Sequence, residues 1–184
     1  MGAQVSETMN AHRFKFSAFS LLEVIVAVAI FSGAVTVLLG LLPELTRQSA
    51  VSADALNALR LPDAIRVELT RVGTTGGFEA LANQIKPLAT SLPDTCELVA
   101  TRDAARLHTL VYLPPPVAAQ IADESQYFLI EAWRFSDAPL AFDQRGAVLA
   151  LHVRVSWPYR IPGALAITPF SAREWADFNV TIVR

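Results

Sequence analysis

The chain has little of what catalytic or covalently cross-linked proteins contain. Its single cysteine, Cys96, excludes an intramolecular disulfide and a CxxC metal or redox site. The three histidines are His12, His108 and His152, and no HxH or HExxH spacing accompanies them. The sequence also lacks GxSxG, P-loop and GxGxxG motifs. We therefore predict that the protein is not an enzyme, has no catalytic residues and binds no metal or cofactor.

Charge is also scarce and evenly spread. Lys and Arg number 15 against 17 Asp and Glu, and the formal net charge is −2. Nucleic-acid binding needs a concentrated basic face, so no nucleic-acid partner is expected. The one small acidic cluster, "DES" at 123–125, has too few carboxylates for a calcium cage. His108 and His152 fall on predicted strands and could approach each other across a sheet.

What the sequence does contain is a long apolar run near its start. It extends over the 24 residues from Phe19 to Leu42, and Glu23 is its only charged residue. A helix of that length rises about 36 Å, enough to cross a hydrocarbon core of ~30 Å. A charge at the centre of a bilayer costs roughly 2.5–3.5 kcal/mol, so the presence of Glu23 needs an explanation.

The flanks of this run predict its orientation and limit its interpretation. Arg13 and Lys15 precede it, which favours a cytoplasmic location for residues 1–18. The run is too long for the apolar region of a secretory signal peptide, and the small-residue "VSA" site ending at Ala53 lies far beyond it. A plain signal anchor fits the length but gives Glu23 no role.

The segment "FSLLEVIVAVAIF" after Ala18 resembles the class III leader of type IV pilins and pseudopilins. In that family a short basic leader ends in a small residue, cleavage precedes an aromatic residue, and a glutamate is fifth in the mature chain. The resemblance implies cleavage by prepilin peptidase between Ala18 and Phe19, N-methylation of Phe19, and a role for Glu23 in assembly. Ala18 departs from the glycine that is usual there.

Two explanations of Glu23 stay open. In the first, it caps the helix start and interacts favourably with the helix dipole, which needs no partner. In the second, which the resemblance implies, it pairs with the Phe19 ammonium of a neighbouring subunit in a filament. A second, shorter resemblance is carried by "VRVSWP" and "GLLP", which are similar to segments of the Verru_Chthon cassette pilin-like proteins.

Downstream, the pattern predicts a helix and then a sheet. Pro43 should kink the helix, which resumes over 44–72 with one face formed by Val51, Ala55, Leu56 and Leu59, then by Ile65, Leu69 and Val72. A pair of packed helices is the alternative for this region. Pro62 suits a first helical turn. "GTTGG" at 73–77 is expected to end the helix, and a short helix is expected within "GGFEALANQIKPL".

Strands are predicted from the later runs. "CELVAT" and "LHTLVYLPPP" form a hairpin around "RDAAR", and "SQYFLIEAWRFS" suits a strand buried on both faces. "AVLALHVRVSWP" and "ADFNVTIVR" alternate. The inward residues are predicted to be Leu149, Leu151, Val153, Val155, Trp157, Phe178, Val180 and Ile182. Trp133, Trp157 and Trp175 are expected to be core or rim anchors.

Together these features predict an α+β, pilin-like fold in which the N-terminal membrane helix packs on an antiparallel sheet. The expected domains are a cytoplasmic leader at 1–18, a transmembrane and assembly helix at 19–42 and an extracytoplasmic globular domain at 43–184. The expected location is the inner membrane, single-pass, with the C-terminal domain in the periplasm or outside the cell.

The function expected from the resemblance is that of a structural subunit. The expected subunit is a minor pilin or pseudopilin of a type IV pilus or type II secretion-like filament. Its expected partners are other such subunits, prepilin peptidase and membrane lipid. The alternative is a single-pass anchored binding domain that uses the helix as a tether.

Overall fold

The computed structural model describes residues 20–87, 96–161 and 166–184. The chain divides into two compact units, Met1–Gln48 and Ser49–Arg184. The described helices are α1 (Leu21–Ala58), α2 (Leu61–Gly76) and α3 (Phe78–Gln84), and the described strands are β1 (Cys96–Ala100), β2 (Leu107–Thr109), β3 (Phe128–Arg134), β4 (Val148–Trp157) and β5 (Glu174–Val183). Short 3-10 turns occur at Val117–Ala119, Asp123–Ser125 and Phe170–Ala172. The predicted α+β class and the antiparallel sheet are confirmed.

The first unit, in its described part, consists of helix alone. Pro43 lies inside α1, and helical structure continues on both sides of it. The Thr36 hydroxyl donates to the Ser32 carbonyl at 2.8 Å and the Thr46 hydroxyl to the Pro43 carbonyl at 2.8 Å. These hydroxyls are therefore satisfied by the helix itself, which suits them to an apolar environment.

The second unit is built on a five-stranded antiparallel sheet with the order β2-β1-β3-β4-β5. In β4 and β5, alternation places one face of the strand in the core, whereas β1 and β3 are largely buried on both faces, as predicted for β3. On β4 the residues predicted to face inward are all buried. Val180 and Ile182 of β5 are buried as well, and Phe178 packs against the core.

Helix α2 covers the inner face. Ile65, Leu69 and Val72 are fully buried, as their spacing predicts, and Pro62 lies in the first turn. Burying each such side chain contributes about 1.5–3 kcal/mol. Between α1 and α2, the Leu59 and Arg60 N–H groups donate to the Ala55 and Asn57 carbonyls, so the chain keeps a helical course through a tight turn.

The predicted apolar face of residues 51–59 is correct only at Ala55, which is partly buried and packs against the core. Val51, Leu56 and Leu59 are 41%, 60% and 62% exposed, whereas Asp54 and Ala58 are buried. The hydrophobic pattern failed here because Asp54 has polar partners, the half-exposed Arg102 and the buried Tyr127, that hold this side of the helix inward.

The predicted break at "GTTGG" comes later than expected. Helix α2 continues through Gly76, and the chain turns at Gly77, whose φ is 93°. The Thr74 and Thr75 hydroxyls both donate to the Arg71 carbonyl, at 2.8 and 2.9 Å, which supports helix over this stretch. At Gly76 the backbone lies so close to Leu113 and the Tyr112 hydroxyl that a side-chain carbon would overlap them.

Candidate functional site

The start of α1 is built around Ser20 and Glu23. The Ser20 N–H donates to Glu23 Oε2 at 3.2 Å, and the Ser20 hydroxyl donates to the same oxygen at 3.3 Å. In return, the Glu23 N–H donates to the Ser20 hydroxyl at 3.2 Å. This reciprocal pair is a capping box, in which two backbone N–H groups that lack helical partners are satisfied by side chains.

The capping box gives Glu23 a role within its own chain. Its carboxylate lies at the helix N-terminus, where the helix dipole favours negative charge. The first of the two explanations raised by the sequence, a capping role, is therefore confirmed. Both bonds from Ser20 end on Oε2, and within the described residues no hydrogen bond to Oε1 is found.

Glu23 is surrounded by apolar surface that nothing in the described chain covers. Residues 20–53 are all exposed apart from the half-buried Val35. Glu23 shares a shallow groove along the helix with Val24, Ala27, Val28 and Phe31. The stretch Leu21–Gly76 contains a window with a mean hydropathy of 2.6 and no buried residues, so by length and composition it could cross a membrane. An apolar helix surface of this extent needs lipid or protein around it.

The predicted cleavage and methylation site at Ala18 and Phe19 lies outside the described residues. Of the predicted site residues, the structure therefore places only Glu23.

A second polar cluster, which the sequence did not reveal, lies in the globular unit. Asp54 accepts two bonds from Arg102, from Nε at 2.8 Å and from Nη2 at 3.0 Å. The Tyr127 hydroxyl donates to Asp54 Oδ2 at 2.7 Å. The Asn57 side-chain amide donates to the Arg102 carbonyl at 3.0 Å, and the Arg102 guanidinium lies 5.0 Å from the centre of the Tyr127 ring.

This Asp54 cluster joins three segments that are distant in sequence. It connects the end of α1, the β1–β2 hairpin loop and the residue before β3. Burial and the bond to Asp54 raise the pKa of Tyr127 above its usual range, and the bond to Asp54 raises the pKa of Arg102. Asp54 accepts three hydrogen bonds from two side chains, and we assign the cluster a structural role.

The outer face of the sheet carries a mixed aromatic and charged row. Arg154 binds Asp177 through Nε at 2.9 Å and lies 4.8 Å from the Trp175 ring centre. Trp133 is buried and stacks on His152 with ring centres 5.8 Å apart, whereas Trp175 is 54% exposed. Trp157 is therefore a core residue, Trp133 is buried on the outer face against His152, and Trp175 is a rim residue.

The two strand histidines do not meet. His108 lies on β2 and His152 on β4, and strands β1 and β3 separate them. His108 is buried, and its Nε2 accepts the Ile121 N–H at 2.8 Å, so Nδ1 carries the hydrogen that is donated to the Thr109 carbonyl at 2.9 Å. Both ring nitrogens are occupied, and the suggested approach of the two histidines is wrong.

The acidic cluster at 123–125 forms part of a turn. Asp123 Oδ1 accepts the Gln126 side-chain amide at 3.0 Å, and Oδ2 lies 3.4 Å from Arg160 Nη2. Among the described residues, no group of three or more His, Cys, Asp or Glu side chains is arranged to hold a metal ion. Asp123 thus has structural partners.

Comparison with models of protein families, with characterised proteins and with solved structures gives no match for this chain.

The capping box could have been found from the sequence, since Ser20 and Glu23 have the S-x-x-E spacing before an apolar run. The Asp54 cluster could not. Its members are 48 and 73 positions apart, and no local pattern relates them.

Proposed function

We propose that the chain is a pilin-like structural subunit, processed between Ala18 and Phe19 and assembled into a filament through α1. The observation that carries the proposal is the apolar part of α1, residues 21–42, which is exposed apart from the half-buried Val35 and whose only charged residue, Glu23, lies in the first turn. The α+β globular unit that follows suits a subunit whose helix lies in the filament and whose sheet is displayed outside it.

The capping box supports a more detailed account of Glu23 in assembly. Capping occupies Oε2, which leaves the lone pairs of Oε1 for a donor outside the described residues. The ammonium of Phe19 in a neighbouring subunit is the proposed donor. In surroundings of low dielectric constant such a pair depends on register, because a slipped neighbour leaves a charge without its partner.

The decisive measurement is the mass and N-terminal sequence of the protein isolated from membranes. A methylated Phe19 is expected, with the loss of about 2 kDa, the leader's share of the 20.0 kDa chain. Ala18→Phe is expected to retain the leader. An intact Met1 would contradict the proposal.

The second candidate is a membrane-anchored binding domain that uses α1 as a tether. The capping box favours the tether, because it gives Glu23 a structural role that needs no partner subunit. A matched pair of variants separates the two functions. Glu23→Gln removes the charge but keeps a side chain that can complete a capping box, whereas Ser20→Ala removes half of the box and keeps the charge.

If Glu23 pairs across subunits, Glu23→Gln should lower crosslinking to partner subunits roughly tenfold or more, because one member of a low-dielectric ion pair is lost. Ser20→Ala should weaken the helix start by about 0.5–2 kcal/mol and leave crosslinking nearly unchanged. Equal incorporation of Glu23→Gln and the wild type would refute the pairing and leave the tether as the function.

A further inference from the structure

Strand β5 forms a long open edge of the sheet. It is ten residues long and, among the residues that the structure describes, pairs only with β4, whereas the opposite edge, β2, has three residues. Edge strands expose unpaired backbone groups that can pair with another chain, and short length is one way in which proteins limit this. The β2 edge is limited in that way, and the β5 edge is not.

The direction of the free backbone groups of β5 follows from its register. The Arg184 N–H donates to the Ala147 carbonyl at 2.8 Å, and β5 pairs with β4 from Val183 opposite Val148 onward. Hydrogen bonding alternates along an antiparallel strand, so the even-numbered residues of β5 bond to β4. The odd-numbered residues, from Trp175 to Val183, direct their N–H and C=O groups outward.

The composition of β5 does not protect this edge. Strand β5 contains no Lys, Pro or Gly, and its only charged residues are Glu174 and Asp177. From Phe178 to Val183 it is uncharged and rich in β-branched residues, a composition typical of segments that add to other strands. Trp175 and Val183 are 54% and 61% exposed at its two ends.

We propose that β5 pairs with β5 of a second copy of this chain, antiparallel and centred on Asn179, so that the two sheets join. Because the outward N–H and C=O groups belong to odd-numbered residues, odd-numbered residues of one copy must lie opposite odd-numbered residues of the other. Two registers then pair most of the strand, one with its two-fold centre at Phe178 and one with its centre at Asn179. Only the Asn179 centre places Glu174 opposite Arg184 of the second copy and Trp175 opposite its Val183.

Charge complementarity selects this occupant and this direction. In the Asn179-centred register each acidic residue of β5 faces a basic or neutral residue, since Asp177 meets Thr181 and Glu174 meets Arg184. An in-register parallel pair would oppose Glu174 to Glu174 and Asp177 to Asp177, which is destabilising. Arg184 also contacts Glu79 at 2.9 Å, but both side chains are about half exposed, so this pair contributes little.

This inference stands apart from the pilin assignment, because it depends only on the globular unit. It is tested with the full-length protein in detergent and in membranes by cysteine crosslinking. In Asn179→Cys the two introduced cysteines, one from each copy, would lie directly opposite each other as a hydrogen-bonded pair. Their Cα atoms would be about 5.5 Å apart, a distance that allows a disulfide. In the control, Thr181→Cys, they would be roughly 14 Å apart, too far to bond.

Asn179 and Thr181 are both exposed, so the two variants are matched in accessibility. The native Cys96 is buried and should stay unreactive, which also reports that each variant is folded. On mild oxidation, Asn179→Cys is expected to form a dimer at least tenfold more than Thr181→Cys. No dimer, or equal dimer from both, would overturn the proposal.

A charge exchange tests the register. Glu174→Lys in the Asn179→Cys background should lower the crosslinked fraction about five- to tenfold at limiting concentration, since two equivalent contacts become repulsive. Adding Arg184→Glu should restore it. Failure of the double exchange to restore crosslinking would refute the Asn179-centred register.

Discussion

The Asp54 cluster gives the sharpest test of how the globular unit is held together. Tyr127→Phe removes one hydroxyl that donates to Asp54 Oδ2 at 2.7 Å and leaves the rest of the buried ring in place. A hydrogen bond to a charged group contributes about 1.5–3 kcal/mol. Because Arg102 still holds the carboxylate through two bonds, the expected loss is at the lower end of this range, about 1.5–2 kcal/mol.

Arg102→Met should cost more, because it leaves a buried carboxylate with a single donor. Breaking a fully buried ion pair costs about 3–5 kcal/mol. The Arg102 side chain is 51% exposed, so water can replace part of what it provides. The expected loss is therefore about 2–3 kcal/mol after allowing for that screening.

The assay is urea unfolding of the detergent-solubilised protein, followed by the fluorescence of the buried Trp133 and Trp157. Tyr159→Phe is the control, since no bond to the Tyr159 hydroxyl is found within the described residues, and it should change the unfolding free energy by less than about 0.5 kcal/mol. The double variant Tyr127→Phe/Arg102→Met should fall short of additivity. A neutral Tyr127→Phe, or one more harmful than Arg102→Met, would refute this account of the cluster.

Two further predictions concern the core. Burial raises the pKa of the Cys96 thiol from 9.0 to about 12. As the pH rises above 9, the unfolded chain loses this proton while the folded chain keeps it. The free energy of unfolding, constant below pH 9 as far as Cys96 is concerned, should therefore fall by about 1.4 kcal/mol per pH unit between pH 9 and 12. Comparing the wild type with Cys96→Val from pH 8 to 11 tests this, and identical slopes would contradict it. Leu69→Ala should lower the free energy of unfolding by about 2–5 kcal/mol, because it removes a buried side chain of α2. The control Val67→Ala, at an exposed position, should lower it by less than about 0.5 kcal/mol. Similar losses from the two variants would contradict the assignment of the buried face of α2.

The sheet was readable from the sequence because one of its faces is apolar. In β4 the alternation of Leu149 to Val155 with His152 and Arg154 fixed both the strand and its inward side, and the structure confirms both. Helix α2 was readable for the same reason. When apolar residues recur at the same spacing over three or four positions, the buried face can be predicted even if single positions depart from the pattern.

The prediction failed where a polar side chain takes a core position. Asp54 is buried although its neighbours Val51 and Leu56 are far more apolar, because its partners come from distant loops. At the other end of α1, the sequence predicts both Glu23 and its partner Ser20, because the S-x-x-E spacing is a local pattern. Pairings between separated segments depend on the folded chain.

The tight fit at Gly76 sets a limit on how this sequence can vary. Here glycine allows the close approach of the Leu113 and Tyr112 side chains, so the usual replacement by alanine, which favours helices elsewhere, would require the ends of both side chains to move. A homologue with a larger residue at this position is expected to have different side chains, or different rotamers, at positions 112 and 113. Covariation between this helical position and the turn would be a signature of the same globular architecture, independent of the membrane segment.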